Sequence, residues 1–149
     1  MKPDSKYKLR DARREDGDLL FNWANDYEVR LNSFNSNPIK YEEHIRWFDN
    51  KLKSSNSSMY VFEVDEIAVG MIRLDLVDGQ SHLINYSICK GHRGKGYATE
   101  LLRLIKELNK ASLLIGKVKS TNIGSIKAFI KAGYEMEGDS QTKVFYSSK

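Results

Sequence analysis

The chain of 149 residues suits one domain spanning 1–149, and its balance of 40% hydrophobic with 30% charged residues excludes a disordered chain. With 24 Lys and Arg against 20 Asp and Glu, the net charge is +4, dispersed rather than striped, which points away from nucleic acid. Cys89 is the one cysteine, no Cys/His spacing suits a metal, and neither a membrane-length apolar run nor a signal pattern occurs in the polar start Met1 to Lys6, so a cytoplasmic protein is expected.

Tyr7 to Arg10 reads as a first strand, and Asp11 to Asn25 as a helix with Leu19, Leu20 and Trp23 on one face. The run from Asn32 to Pro38 is rich in turn formers and reads as a loop. Tyr41 to Lys53 returns to helix, with Tyr41, Ile45, Phe48 and Leu52 as its core stripe and His44 and Trp47 off it. The period then drops to two. Tyr60 to Val64, Ile67 to Val77 and Leu83 to Ile88 form an antiparallel meander, turned at Asp65-Glu66 and at Asp78-Gly79, where positive φ is tolerated. A helix follows over Tyr97 to Leu108, buried through Ala98, Leu101, Leu102, Ile105 and Leu108. Leu113 to Val118 is a strand, Asn122 to Ala132 a helix stopped by Gly133, and Tyr134 to Glu137 and Thr142 to Tyr146 close the chain as strands. The order is β-α-α-β-β-β-α-β-α-β-β, an α/β domain with a mixed, mostly antiparallel sheet.

Between the strand ending at Ile88 and the helix from Tyr97 lies Cys89-Lys90-Gly91-His92-Arg93-Gly94-Lys95-Gly96-Tyr97-Ala98. A strand, a glycine-rich turn and a helix start make an anion site, because first-turn amides lack helical partners and the macrodipole adds positive character. Gly94 and Gly96 let backbone approach a phosphate, Ala98 stays small, and Arg93 and Lys95 add charge at the rim. An unoccupied helix cap is the bland alternative. The Walker string is absent, and the dinucleotide fingerprint would need glycine where Thr99 stands.

Arg93, Gly96 and Ala98 instead meet the Arg/Gln-x-x-Gly-x-Gly/Ala signature, so the segment resembles the acetyl-CoA loop of the GNAT N-acetyltransferases. Asn122, Ser125, Gly133 and Tyr134 resemble that family's fourth-helix run, and the element order resembles its fold over nearly the whole chain. The resemblance implies acetyl transfer from acetyl-CoA directly to a primary amine, without a metal. It implies that backbone at Ile88 and Lys90 holds the pantetheine arm, with an Ile88 amide facing the oxyanion. The amides from Arg93 through Gly94, Lys95, Gly96 and Tyr97 to Ala98 would cradle the pyrophosphate, and Asn122 and Ser125 would contact the pantetheine or phosphate.

One position departs from the pattern. Where the family often carries a tyrosine acid, this chain has Phe129, and a phenyl ring cannot donate a proton. The His82 imidazole is a candidate base, Tyr134 could serve as acid, and Asn85 and Ser87 alternate onto the strand face opposite His82, Ile84 and Tyr86. Cys89 next to a thioester suggests a relay, against the plainer reading of a small strand-end residue. His92 reads as a phosphate-rim residue.

The strings Trp23-Ala-Asn-Asp26, Arg30 to Phe34 and Tyr41 to Phe48 look similar to GNAT enzymes that acetylate nucleotide-linked 4-amino sugars, as in pseudaminic acid pathways. On that resemblance Arg30 meets a diphosphate, Trp47 stacks on a base or sugar, and His44 bonds a hydroxyl. A peptide N-terminus and a polyamine are the alternative acceptors, and a non-catalytic acyl-CoA-binding module is the alternative of another class. Pairing into a homodimer through exposed strands would be ordinary for the family.

Overall fold

Alternating strands separated by two-residue turns build the centre of the fold. The computed structural model describes residues 6–147, so the polar segment Met1 to Ser5 lies outside the described residues. Seven strands form one sheet: β1 (Tyr7–Asp11), β2 (Ser57–Val64), β3 (Ile67–Asp78), β4 (Ser81–Ile88), β5 (Leu113–Lys119), β6 (Glu135–Gly138) and β7 (Thr142–Tyr146). Their spatial order is β1-β2-β3-β4-β5-β7-β6, antiparallel throughout except for the parallel pair β4 and β5. Five helices accompany it: α1 (Gly17–Ala24), α2 (Tyr27–Asn32), α3 (Tyr41–Lys53), α4 (Tyr97–Leu108) and α5 (Ile123–Lys131).

Register decides which side chains share a face. Ile72 opposes Tyr86 and Leu74 opposes Ile84, and this face packs with Leu101, Leu102 and Ile105 of α4 and Phe129 of α5. Each of those fully buried aliphatic side chains stabilises the fold by roughly 1.5–3 kcal/mol. Met59 and Val61 on the other face meet Leu20 of α1 and Phe48 of α3. The sheet therefore carries two cores, one on each side.

Several local expectations change. The helix expected from Asp11 starts only at Gly17, because the Asp16 carboxylate ties down the approach: it accepts from the Arg13 amide at 2.7 Å and from the Arg10 fork at 2.8 and 2.9 Å. A separate short helix, α2, follows it. Asp26 starts that helix by accepting from the amides of Glu28 at 3.0 Å and Val29 at 3.2 Å. Both turns are present, but the positive φ expected at Asp78-Gly79 is found instead at Asp65 and Glu66 (51° and 70°). At the second turn the Asp78 carboxylate accepts from the amides of Gln80 and Ser81, both at 3.0 Å, and holds the reversal by side-chain bonding.

The buried face of α3 is rotated from the expected stripe. His44 and Phe48 point inward, while Tyr41 is exposed and donates its hydroxyl to Asp18 at 2.6 Å. A tyrosine can satisfy its polar end in water at the first turn, whereas Phe48 cannot. Leu108 likewise ends up exposed at the last turn of α4.

Candidate functional site

β4 serves two partners unequally. It stays paired with β3 up to Gly70 and Ile88, but its pairing with β5 stops at Ile84 and Gly116. Beyond that point β4 and β5 diverge, and the backbone from Asn85 to Ile88 borders an opening in the sheet. A cavity of about 950 Å³ occupies this opening and reaches both faces, a size typical of small-ligand sites. Tyr86, Ala128 and Phe129 line it on the α4–α5 side, and Met71, Arg73, Asn85 and Ser87 on the α1–α3 side.

The glycine loop lies at one mouth. Gly94 and Gly96 have φ of +78° and +81°, and a Cβ on either would meet nothing within 4 Å. Glycine is thus required by backbone conformation and leaves open space in front of the loop. The first bond of α4 runs from the Glu100 amide to the Gly96 carbonyl at 3.2 Å, so the amides at 97–99 precede it. Backbone, space and dipole together fit a phosphate.

The expected residues of this loop divide. Gly94, Gly96, Tyr97 and Ala98 border the cavity, as does Arg93. The Arg93 guanidinium, however, is not a rim charge. Its Nε donates to the Ile88 carbonyl at 2.9 Å, one terminal nitrogen pairs with Asp26 at 2.9 Å, and the other lies 3.6 Å from Glu28. It braces the end of β4 against α2. Lys90 sits in the 3-10 turn Lys90–His92 and Lys95 is exposed; neither borders the cavity. His92 does border it, with its Nδ1 3.1 Å from the Cys89 sulfur.

On α5, Asn122 and Ser125 both reach the cavity. The Asn122 side-chain oxygen caps the helix by accepting from the Ser125 amide at 3.3 Å, which leaves its NH2 free to turn outward. The Ser125 hydroxyl is 2.6 Å from the Tyr86 hydroxyl. Burial pushes the Tyr86 phenol up to about 12, with the Ser125 bond opposing the rise, so it is protonated at neutral pH. In the sequence Tyr86 is placed only on the strand face shared with His82 and Ile84, and nothing local gives its hydroxyl a partner.

Neither expected acid–base residue is in place. His82 stands at the start of β4, six residues from Ile88 and roughly 20 Å away along the strand, and it does not border the cavity. Tyr134 is buried, and its hydroxyl donates to the Leu102 carbonyl at 3.0 Å. Desolvation raises its pKa well above the usual phenol value. It anchors α4 in the core instead. Phe129 is buried as well, stacked on Phe145 with centroids 4.7 Å apart and edge-on to Tyr86 at 5.9 Å.

The first third of the chain supplies the other mouth. His44 and Trp47 both border the cavity, their ring centroids 5.5 Å apart. His44 is only 5% exposed, its Nε2 has no hydrogen-bond partner among the described residues, and burial lowers its pKa, so it is neutral. Arg30 borders the cavity but is already spent: it donates to the carbonyls of Ala24 at 2.8 Å, Asn35 at 3.0 Å and Asn37 at 3.1 Å, and to the Ser33 hydroxyl at 3.2 Å. It staples the loop expected to wrap the acceptor, and it does not offer a free fork for a diphosphate. Asn25 does similar work, bonding the backbone of Ile39 through both ends of its amide at 2.7 and 2.8 Å.

A family model for the acetyltransferase (GNAT) domain matches residues 6–135. The chain belongs to the GNAT acetyltransferase family. Over 87 residues it is 30% identical to the probable N-acetyltransferase YjcK of Bacillus subtilis, a match spanning 54% of this chain and 48% of that relative, about half its length. Among solved structures, it is similar to the spermidine N-acetyltransferase of Vibrio cholerae in complex with CoA and spermine, with TM-score 0.84, 17% identity, and 96% of this chain and 95% of that one covered. It is also similar to RimL, a ribosomal L7/L12 alpha-N-protein acetyltransferase, in complex with coenzyme A (TM-score 0.79, 12% identity, covering 96% and 94%). A third is an aminoglycoside acetyltransferase with ribostamycin and coenzyme A (TM-score 0.81, 18% identity, covering 96% and 92%). These GNAT likenesses fit the splayed β4–β5 sheet and the glycine loop at its mouth. Among the described residues no cluster of His, Cys, Asp and Glu could hold a metal, and no helix is long and apolar enough to cross a membrane.

Proposed function

We propose that this GNAT-family chain moves an acetyl group from acetyl-CoA directly to a primary amine, and that the amine belongs to a nucleotide-linked amino sugar. The observation that carries the transfer reading is the opening of the sheet after Ile84 and Gly116, with the Gly94–Gly96 loop at its mouth. Acetyl-CoA supplies an activated thioester carbonyl. Backbone amides at Gly94 to Ala98 hold its diphosphate, and the splayed edge of β4 orients the pantetheine arm. A β4 amide at Ile88 faces the thioester oxygen as charge builds on it, an arrangement worth about 3 kcal/mol when well aimed.

Attack by the neutral amine forms the carbon–nitrogen bond, and collapse breaks the carbon–sulfur bond. One proton passes from the amine nitrogen to solvent, and one reaches the departing sulfur through the Ser125 hydroxyl, which regains a proton from solvent. Phe129 gives no proton to the sulfur, but Tyr86 and Ser125 stand next to it. The two hydroxyls lie 2.6 Å apart and either can donate; with Tyr86 as the donor, the Ser125 proton is free to meet the departing sulfur. His44 stays neutral and accepts from an acceptor hydroxyl or amine through its unpartnered Nε2.

The amino-sugar reading is supported by the α1–α3 mouth. Its groups include the flat ring of Trp47, the hydroxyl of Ser87 and the amides of Asn32, Asn35 and Asn85, which suit a body bearing neutral hydroxyls. A polyamine would call for several carboxylates, and on this side Glu43 is the one not paired with Arg93. The test is thiol release from acetyl-CoA against a UDP-4-amino sugar, an N-terminal peptide and spermidine competing in one reaction. Preference for the sugar is expected; preference for either rival ends the amino-sugar reading.

A further inference from the structure

We propose that Arg73, backed by the Trp47 ring, recognises an anionic group on the acceptor, so that the acceptor carries a phosphate or carboxylate about 10 Å from its amine. This rests on the acetyl-transfer reading above and narrows the class of acceptor. Three arginines border the cavity, and their donors are spent differently. Arg30 gives its bonds to Ala24 and the 33–37 loop. Arg93 gives two to Ile88 and Asp26, while its third nitrogen is buried 3.6 Å from Glu28 and turned away from a planar two-oxygen contact by the other two. Arg73 uses only Nε, which donates to Asp75 at 2.9 Å; among the described residues its terminal nitrogens have no hydrogen-bond partner.

The fork is also held in one orientation. Its guanidinium carbon lies 4.9 Å from the Trp47 ring centroid, and its side chain is 17% exposed. Asp75 fixes the Nε end and is itself shared with the Ser57 hydroxyl at 2.6 Å and Lys51 at 3.2 Å. Two cations around one carboxylate leave this corner positive. A preoriented, partly desolvated guanidinium with two free terminal nitrogens matches the geometry of a phosphate or carboxylate edge.

Its position sets the reach. Gly70 faces Ile88 and Arg73 faces Asn85, so the Arg73 backbone lies three residues along β3 from the position beside Ile88, about 10 Å at 3.3 Å per residue, and this sets the scale of the reach. That separation suits the amine of a sugar whose anomeric carbon bears a diphosphate, and also a short amino acid chain ending in carboxylate. A polyamine would instead bring positive charge towards Arg73.

Steady-state kinetics at saturating acetyl-CoA test the idea with a UDP-4-amino sugar, the same amino sugar without its nucleotide, a dipeptide with a free carboxylate, and spermidine. Arg73→Gln is expected to lower the ratio of kcat/KM for anionic over neutral acceptors by about tenfold or more, the size of one lost charge-assisted pair. Arg73→Lys should restore that ratio only in part, since an ammonium cannot bind two oxygens in parallel. A ratio unaffected by Arg73→Gln overturns the proposal, as does a native preference for spermidine over both anionic acceptors. If the dipeptide is used in an Arg73-dependent way and the UDP sugar is not, the anion site stands and the amino-sugar reading falls. A readout free of turnover is UDP binding by calorimetry to protein saturated with CoA. Weaker binding by Arg73→Gln is expected, and equal binding in both proteins overturns the phosphate arm.

Discussion

Gly116 and Phe129 allow one perturbation to be worked out in atoms. A Cβ added at Gly116 would collide with Phe129 Cζ and lie 2.7 and 3.2 Å from its two Cε atoms. Carbon contacts settle at about 3.5–4.0 Å, so the ring must retreat by roughly 1 Å. It has little room. Phe145 is stacked on it at 4.7 Å and 8°, Tyr134 meets it edge-on at 5.0 Å, and the residue is 1% exposed. With the ring boxed in, overpacking costs the upper part of the range, about 2–3 kcal/mol, and about 1–2 kcal/mol remains after an offset of about 1 kcal/mol from removing a strand glycine. The expectation for Gly116→Ala is a melting temperature lowered by roughly 2–8 °C in a chain of this length. The ring also touches Tyr86, whose hydroxyl holds Ser125, so kcat should fall more than the acetyl-CoA KM rises. Thermal melts followed by circular dichroism, with Gly116→Ala/Phe129→Leu as the relieved double variant, check this. If Gly116→Ala melts within about 1 °C of the native protein, or Phe129→Leu does not recover part of the loss, the packing argument is refuted.

Three further outcomes are expected. Gly96→Glu places a side chain at φ +81° and a negative charge in front of the loop; CoA binding by titration calorimetry should weaken about tenfold or more, roughly 1.4 kcal/mol, and unchanged affinity in the folded variant would remove the phosphate from this loop. Ser125→Ala should lower kcat about tenfold or more, with Tyr86→Phe smaller because water can replace its bond; native kcat in both variants would exclude the hydroxyl pair from the reaction. The Arg10 bond holds the Asp16 pKa below its ordinary value, so its stabilisation is present above about pH 3.9 and is lost as the pH falls through the lower folded value. The melting gap between native and Asp16→Asn should therefore be steady from about pH 6 to 8 and close below about pH 4; a gap constant down to about pH 2 would contradict the pairing.

Features set by short-range chemistry were readable in the sequence. Gly94 and Gly96 announced open space in front of the loop, Asn122 announced a helix start, and the period-two run from Ser58 to Ile88 announced the meander. Features set by rotation or by long-range pairing were not. The stripe on α3 is a choice among faces, and burial of Phe48 turned His44 inward and Tyr41 out. Tyr86 could be placed on a strand face, but it takes the meeting of β4 with α5, 39 residues on, to give its hydroxyl a partner. His82 had suitable chemistry at the wrong end of its strand, and alternation along a strand reports the face but not the distance from the site.

The arginines show why acceptor chemistry was the hardest part to read. A guanidinium carries the same charge wherever it stands, but it recognises a ligand only through donors that the protein has not used. Arg30 sits beside a loop of Asn, Ser and Pro whose carbonyls have no strand to pair with, so it is consumed in ordering that loop. Arg93 follows β4 at the point where β5 departs, so it takes up the Ile88 carbonyl and reaches Asp26, the residue that starts α2. It thereby ties the start of the glycine loop to α2 through a partly buried pair. Arg73 lies in mid-strand, where ladder bonding already satisfies the backbone around it, and among the described residues its guanidinium pairs with Asp75 and lies over the Trp47 ring. The free fork falls where regular secondary structure makes the fewest demands on side chains, and that position is fixed by the fold, not by the residue type.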